Sequence, residues 1–355
     1  MNWNFPLTCM EGRRERYEIT VQTSERLPVT LAGLEKYPAG NSKRCECMYF
    51  LSRLWTRKRI YNLLKYKCLL FMALPGMIYF LIFHYLPLWG ILIAFKDFKP
   101  YLGFAKSQWV GLGHFHRLIQ EPVFWRVLAN SLIINLCNLI FFFPLPIILG
   151  LLLNEVRSRF MKRTVQTVVY LPHFLSWVIV YGITFLLFSN QGLVNVQLRE
   201  WNLQPVPVFL EASFFRPMIV LQQIWRDAGW GAIVILAALT GISPELYEAA
   251  MIDGANRWQQ FRHITLSGIK GVILVLLILR MGNLLRIGFE QIYIMQNPLN
   301  YGVSEVLETY SFRTGILNAN FGYATAVGLF QSAVAVFLVV SANWIVNKMG
   351  EEGIW

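Results

Sequence analysis

The chain is 355 residues long, 55% hydrophobic and only 15% charged, with a net charge of +12 and a mean hydropathy of +0.45. That balance excludes a soluble globular protein of this length, whose surface needs more charge. It also excludes nucleic-acid binding as the origin of the positive charge, because the basic residues lie between apolar runs and no basic, aromatic-interleaved soluble domain is present.

Residues 1–47 carry neither a helical apolar period nor the compact layout of a cleavable signal peptide. They are expected to be a disordered tail or an extension upstream of the true start. Met48 opens a basic, aromatic lead-in over residues 48–67, which makes Met48 the expected physiological start.

A bilayer core about 30 Å thick takes roughly 20 mostly apolar residues per helix, and about six such runs follow. The first three are residues 68–95, 127–153 and 165–188. The fourth, 217–242, carries Arg226 and Asp227, the fifth, 269–289, carries Arg280 and Arg286, and the sixth is 324–346. The fold class expected is therefore an all-α polytopic membrane protein with one helical membrane domain over residues 68–347 and a short tail, 348–355. Arg53, Arg57, Lys58, Arg59, Lys65 and Lys67 precede the first run, and Arg157, Arg159, Lys162 and Arg163 fill the loop after the second. The positive-inside tendency puts both stretches, and with six spans both termini, in the cytoplasm.

Several polar residues interrupt these runs. In the second, Ser131, Asn135 and Asn138 lie at helical spacing ahead of Pro144 and Pro146; they suit interhelical hydrogen bonding or substrate contact. His173, after Leu171-Pro172, fits a packing residue at a proline break or a proton carrier. Arg226 and Asp227 point about 100° apart on a helix, so they need not pair, and with Trp225 and Trp230 beside them they fit an outer interfacial belt or a sugar platform. An arginine in mid-membrane costs at least about 2.5 kcal/mol on insertion scales, so Arg280 is expected to face the bundle interior. Arg280, Asn283, Ile287 and Glu290 recur at helical spacing as a stripe suited to a translocation path or a buried structural pair, and the positive charge suits uronate-bearing sugars. Asn135 and Asn138 join Arg280, Asn283 and Glu290 as candidate path residues. The five cysteines follow no metal spacing and read as unpaired thiols.

The loop between the fourth and fifth runs, 241–267, is the most informative. Ser243 is placed to cap a helix opening at Pro244, and Glu245 and Glu248 suit the positive end of its dipole. Gly254 offers a stop, and Asn256 with Gln259 forms a capping-box pair opening a second short helix. Such a helix fits a groove of another protein or lies along the membrane surface.

Glu248-Ala249-Ala250-Met251-Ile252-Asp253-Gly254-Ala255, followed by Ile264-Thr265-Leu266, resembles the EAA loop of binding-protein-dependent ABC importer permeases. The resemblance implies a type I permease fold and a coupling helix seated in a cleft of a cytoplasmic ATPase, with Glu245, Glu248, Ala249, Ala250, Asp253 and Gly254 at that contact. Ser267 stands where the family usually has proline. Leu74-Pro75-Gly76, Ala94-Phe95-Lys96-Asp97-Phe98, Tyr170-Leu171-Pro172-His173-Phe174, Gly288-Phe289-Glu290-Gln291-Ile292 and the terminal Gly350-Glu351-Glu352-Gly353-Ile354-Trp355 are similar to permeases of the LplB type in the carbohydrate branch. That similarity implies a non-catalytic subunit of a bacterial cell-membrane importer for oligosaccharides or polysaccharide fragments. Its implied partners are a second homologous permease, two ATPase subunits and an extracytoplasmic sugar-binding protein.

No GxxxxGK[ST], HExxH or GxSxG motif occurs in the chain, so this chain is expected to bind no cofactor itself, ATP and Mg2+ belonging to the partner ATPases. The coupling loop reports the engine rather than the cargo, which leaves a peptide or other small solute as the nearer alternative. A membrane enzyme or an ATPase-independent channel or transporter lies further off, since neither uses a docking helix of this form.

Overall fold

The computed structural model describes residues 3–8, 16–21, 66–351 and 353–354. The chain divides into two compact units, Met1–His84 and Tyr85–Trp355. In the first, the strands Trp3–Thr8 and Arg16–Val21 pair antiparallel. They fall within the stretch expected to be disordered; the rest of it, Met48 and the lead-in up to residue 65 lie outside the described residues. Helix Lys67–Phe80 belongs to this unit and presents Leu69, Phe71, Met72 and Met77 outward, as a lipid-facing helix does.

Five stretches among the described residues are long and apolar enough to cross a membrane: Lys67–Phe95, Pro122–Glu155, Trp177–Glu200, Arg257–Gly282 and Phe321–Lys348. A sixth counts Ala212–Thr240 with Pro244–Ile252, which are bent by 63° to each other. The expected number is thus met, but two boundaries differ. The third run does not begin at residue 165, because helix Arg159–Tyr170 ends in a 3-10 turn, Leu171–Phe174, before helix Trp177–Phe188. Pro172 lacks an N–H, and the Ser176 hydroxyl accepts the amide of Ile179 to restart the helix. The fifth run starts earlier, at Arg257, and stops at Gly282 instead of reaching residue 289.

That early stop shapes the half of the second unit that holds residues 283–320. From Asn283 to Asn320 the backbone is short helices and turns, and Gly288 has φ 105. Irregular backbone inside a membrane bundle survives only where other groups satisfy it. Here buried amides and hydroxyls from neighbouring helices do so. Asn130 Nδ2 donates to the carbonyls of Gly302 and Glu305 at 3.0 and 3.1 Å, and the Leu307 amide donates to Ser131 Oγ at 3.0 Å. Gln331 Nε2 donates to the Leu285 carbonyl, and from within the irregular segment Gln291 Nε2 donates back to the Ile219 carbonyl of helix Phe215–Thr240. Leu118, Phe124, Val127, Leu285, Leu307, Tyr310, Tyr323 and Val327 form the apolar core beside this network.

Glu305 is fully buried, and its Oε1 accepts both Arg313 Nε at 2.8 Å and Nη2 at 2.7 Å, and also the Tyr301 hydroxyl at 2.9 Å. Arg313→Met strands this carboxylate. Breaking such a pair costs about 3 kcal/mol, the low end of the usual range because Arg313 is one-third exposed. The expected result is a lower melting temperature in detergent, largely recovered in the Glu305→Gln/Arg313→Met double variant; equal losses in the two would show that the pair is not the cause.

Elsewhere in the bundle, glycines bring helices together. A Cβ at Gly150 would overlap Ile235, one at Gly231 would overlap Pro146, and one at Gly229 would overlap the backbone of Val169. These small residues let helix Phe215–Thr240 lie against both Pro144–Glu155 and Arg159–Tyr170. Pro144 is preceded by a π-turn, Asn138–Phe142, so the proline pair is accommodated by local widening.

Candidate functional site

Two groups of residues are candidates, one outside the apolar spans and one within them. The first is helix Pro244–Ile252, with Pro244 at its first position and Glu245 in its first turn. Ser243 has the extended backbone of a cap, yet its side chain makes no capping hydrogen bond, contrary to the sequence expectation. The opposite end follows the expectation. Gly254 adopts φ 79, its amide bonds Met251 O at 3.1 Å, and Ala255 N bonds Ala250 O at 2.8 Å, a Schellman stop that glycine makes without strain. Asn256 and Gln259 then close the reciprocal capping box, at 2.9 and 2.8 Å.

Glu245, Glu248, Ala249, Asp253 and Gly254 are exposed, and Ala250 is half-buried. Leu246, Met251 and Ile252 are exposed beside them, Ile252 at 87%. Asp253, Gly254 and Ala255 border an open cavity of about 330 Å³ with Gln259, Gln260 and His263. The next helix runs from Arg257 through a π-turn, Phe261–Thr265, into the fifth span without the break a proline at position 267 would impose. Tyr247 OH and Thr265 Oγ1, 2.9 Å apart, tie helix Pro244–Ile252 to the foot of that span.

The second group forms where the third span is interrupted. The turn Leu171–Phe174 brings His173 to the middle of helix Phe215–Thr240, where its Nδ1 lies 2.8 Å from Asp227 Oδ1. Asp227 also accepts Gln223 Nε2 at 2.8 Å and Arg226 Nη1 at 3.2 Å. Adjacent residues 226 and 227 therefore do pair, because the long arginine side chain spans the angular gap. Both lie in the central turns of a 26-residue helix, not at its outer end. Arg226 Nε donates to the Leu175 carbonyl, and its guanidinium covers the Trp177 ring at 4.4 Å. The His173 and Trp230 rings stack at 4.4 Å and 6°, and Trp230 remains 45% exposed. Trp230 thus belongs to this cluster.

Arg280 sits in the last turn of its helix, its guanidinium 5.2 Å from the Phe142 ring centre. It borders a cavity of about 250 Å³ together with Asn283, Phe142, Pro146 and Val234. The expected polar stripe does not exist as one helix face: the helix ends at Gly282, Asn283 is its cap and bonds Leu279 O, and exposed Glu290 belongs to the separate helix Phe289–Met295. Asn135 and Asn138 are buried, at 4% and 1% exposure, with Asn135 bonded to Ser131 O, so they pack and line no open path. The sequence signal for the real cluster was Leu171-Pro172-His173 together with the Asp227-to-Trp230 spacing of three residues; nothing local says that the two face each other.

Residues 142–351 match the family described as binding-protein-dependent transport system inner membrane component. The chain is 49% identical to the polygalacturonan/rhamnogalacturonan transport system permease protein YteP of Bacillus subtilis, over 84% of this chain and 94% of that one. It is 48% identical to protein LplB of the same organism, over 81% and 91%. A solved structure of a bacterial alginate ABC transporter in complex with an alginate pentasaccharide-bound periplasmic protein contains a chain that superposes with a TM-score of 0.74, at 40% identity, over 83% of this chain and 99% of that one. A second structure, of a transporter importing the acidic polysaccharide alginate, gives a TM-score of 0.75 at 40% identity.

Proposed function

The chain belongs to the family of binding-protein-dependent transport system inner membrane components, and from that membership we propose that it is the permease subunit of an ATP-driven importer of acidic oligosaccharides. The observation that carries the importer reading is the exposed, acidic helix Pro244–Ile252, stopped at Gly254 and bonded to the fifth span through Tyr247 and Thr265. An ATPase subunit gripping this helix pulls directly on a transmembrane segment. A second permease completes the pathway, an extracytoplasmic binding protein delivers the sugar, ATP and Mg2+ bind the ATPases, and both termini are cytoplasmic. Nucleotide and loaded binding protein then set the balance between inward-open and outward-open states.

The cargo reading is supported by the relatives' names and by the cluster around Asp227. Trp230 and Trp177 offer flat apolar faces of the kind sugar rings stack on, while Arg226, His173, Gln223 and Arg280 offer donors for carboxylate and hydroxyl groups. The test is reconstitution of this chain with its partner permease, ATPase and binding protein in liposomes. ATP-dependent uptake of a uronate oligosaccharide is expected. Arg280→Gln is expected to lower that uptake at least 5-fold while leaving any uptake of a neutral oligosaccharide of equal length unchanged. Equal selectivity in wild type and variant would remove the role for Arg280; no ATPase stimulation by any loaded binding protein would remove the importer reading.

A further inference from the structure

Gly350, Glu351, Gly353 and Ile354 lie outside the two candidate groups, yet they are held by a specific set of contacts. Gly350 takes φ 79 and turns the chain back at the end of helix Phe321–Lys348. The returning strand runs beside the helix it has just left. Asn347 Oδ1 accepts the amide of Gly353 at 2.9 Å, and Asn343 Oδ1 accepts that of Ile354 at 2.7 Å. Asn343 and Asn347 stand one turn apart on one face, so their carbonyls meet successive amides of an antiparallel tail. At Gly353 a Cβ would overlap both amide oxygens, so any larger residue has to displace the two asparagine side chains that hold the tail. Glu351 Oε1 then reaches across to Lys270 Nζ, at 2.7 Å.

Asn343 is 3% exposed near the end of an apolar helix, a costly place for an amide that had no purpose. Lys270 lies five residues beyond Thr265 on the same helix, about 7.5 Å along its axis. Thr265 is the residue hydrogen-bonded to Tyr247 of the docking helix. Gly268, between them, admits Ile242 so closely that a Cβ there would overlap its side chain. The tail is thereby joined to the docking loop through a continuous series of contacts: Glu351 to Lys270, the foot of the fifth span, then Thr265 and Ile242.

We propose that the carboxyl-terminal tail is an intramolecular clasp that fixes the foot of the fifth span to the sixth and so positions the docking loop. Asn343, Asn347, Gly353, Glu351 and Lys270 are its positioning residues. With the clasp closed, the ATPase stroke on helix Pro244–Ile252 moves two spans as one body; with it open, the loop yields locally and part of the stroke is lost. The exposed ion pair is the weaker component and the two asparagine bonds the stronger. The mechanical consequence rests on the importer reading, while the clasp itself does not.

The test is amide hydrogen exchange on the full chain in its assembled complex, with ATP hydrolysed per sugar imported as a second readout. In wild type the amides of Gly353 and Ile354 are expected to exchange at least 10-fold more slowly than in Gly353→Ala. In that variant, residues 243–265 are expected to exchange at least 3-fold faster, and more ATP is consumed per sugar. Glu351→Lys is expected to give a smaller change in the same direction, recovered when combined with Lys270→Glu. Fast exchange of the tail amides in wild type, or a freed tail that leaves exchange at residues 243–265 unchanged, overturns the proposal. If wild type shows no transport yet the exchange at residues 243–265 still follows the tail, the clasp stands and the importer reading falls.

Discussion

Glu248→Arg is expected to reduce ATP-dependent uptake at least 10-fold while the protein folds and inserts as wild type does. Glu248 is exposed on the docking helix and no hydrogen bond or ion pair holds it within the chain's described contacts. A surface change of this kind alters stability by no more than about 0.5 kcal/mol, so a loss of transport has to come from a surface outside the chain. Gly254 gives an independent handle on the same helix. Nothing lies within 4 Å of a Cβ built there, so a substitution acts through backbone strain alone. At φ 79 asparagine is tolerated and a β-branched residue costs roughly 1–3 kcal/mol. Uptake is therefore expected to fall in the order Gly, Asn, Ala, Val, in step with loss of the ATPase on co-purification. Wild-type uptake in both Glu248→Arg and Gly254→Val would mean that helix Pro244–Ile252 is not the docking element.

The cluster in the span interior carries the second large effect. Asp227 is 14% exposed and accepts from His173, Gln223 and Arg226. Asp227→Ala leaves the partly buried guanidinium of Arg226 without its carboxylate and the His173 ring without its partner. Removing one member of such a set costs about 3 kcal/mol or more, so a clear drop in melting temperature is expected along with loss of uptake. Trp230→Ala separates structure from cargo. Half of Trp230 is already exposed, and the ring stack on His173 is worth about 0.5–1.5 kcal/mol. The expected result is a modest fall in stability and a fall in uptake of at least 10-fold, with Trp230→Phe in between. If Trp230→Ala lowers stability but leaves uptake at wild-type level, the cluster holds the broken span together and touches no sugar.

The membrane class, the approximate number of spans and the helix ends of the 241–267 loop follow from the order of residues alone, for a physical reason. A bilayer span is set by a local run of apolar residues, and the helix ends around the loop are made by neighbours within a few positions. Pro244, Gly254, Asn256 and Gln259 specify their turns without reference to the rest of the chain. Only the carbonyl stop and the capping box formed as such signals predict; Ser243, with the right backbone, made no side-chain bond.

Tertiary structure decided what the polar residues inside the spans do. Asn135 and Asn138 repeat at helical spacing just as path-lining residues would, yet the helix face that carries them is buried. Arg280 and Glu290 share a spacing but not a helix, because Gly282 and Asn283 end it and the following backbone is stabilised by Asn130, Ser131 and Gln331 from other spans. His173 and Asp227 are 54 residues apart and meet because a proline break follows helix Arg159–Tyr170 and Gly229 lets that helix's Val169 backbone approach helix Phe215–Thr240 closely. Such pairings depend on which faces of distant helices pack, a property that hydropathy and spacing within one run do not contain. The same holds for the tail, whose glycines and glutamate read as a polar end until Asn343, Asn347 and Lys270 are placed around it.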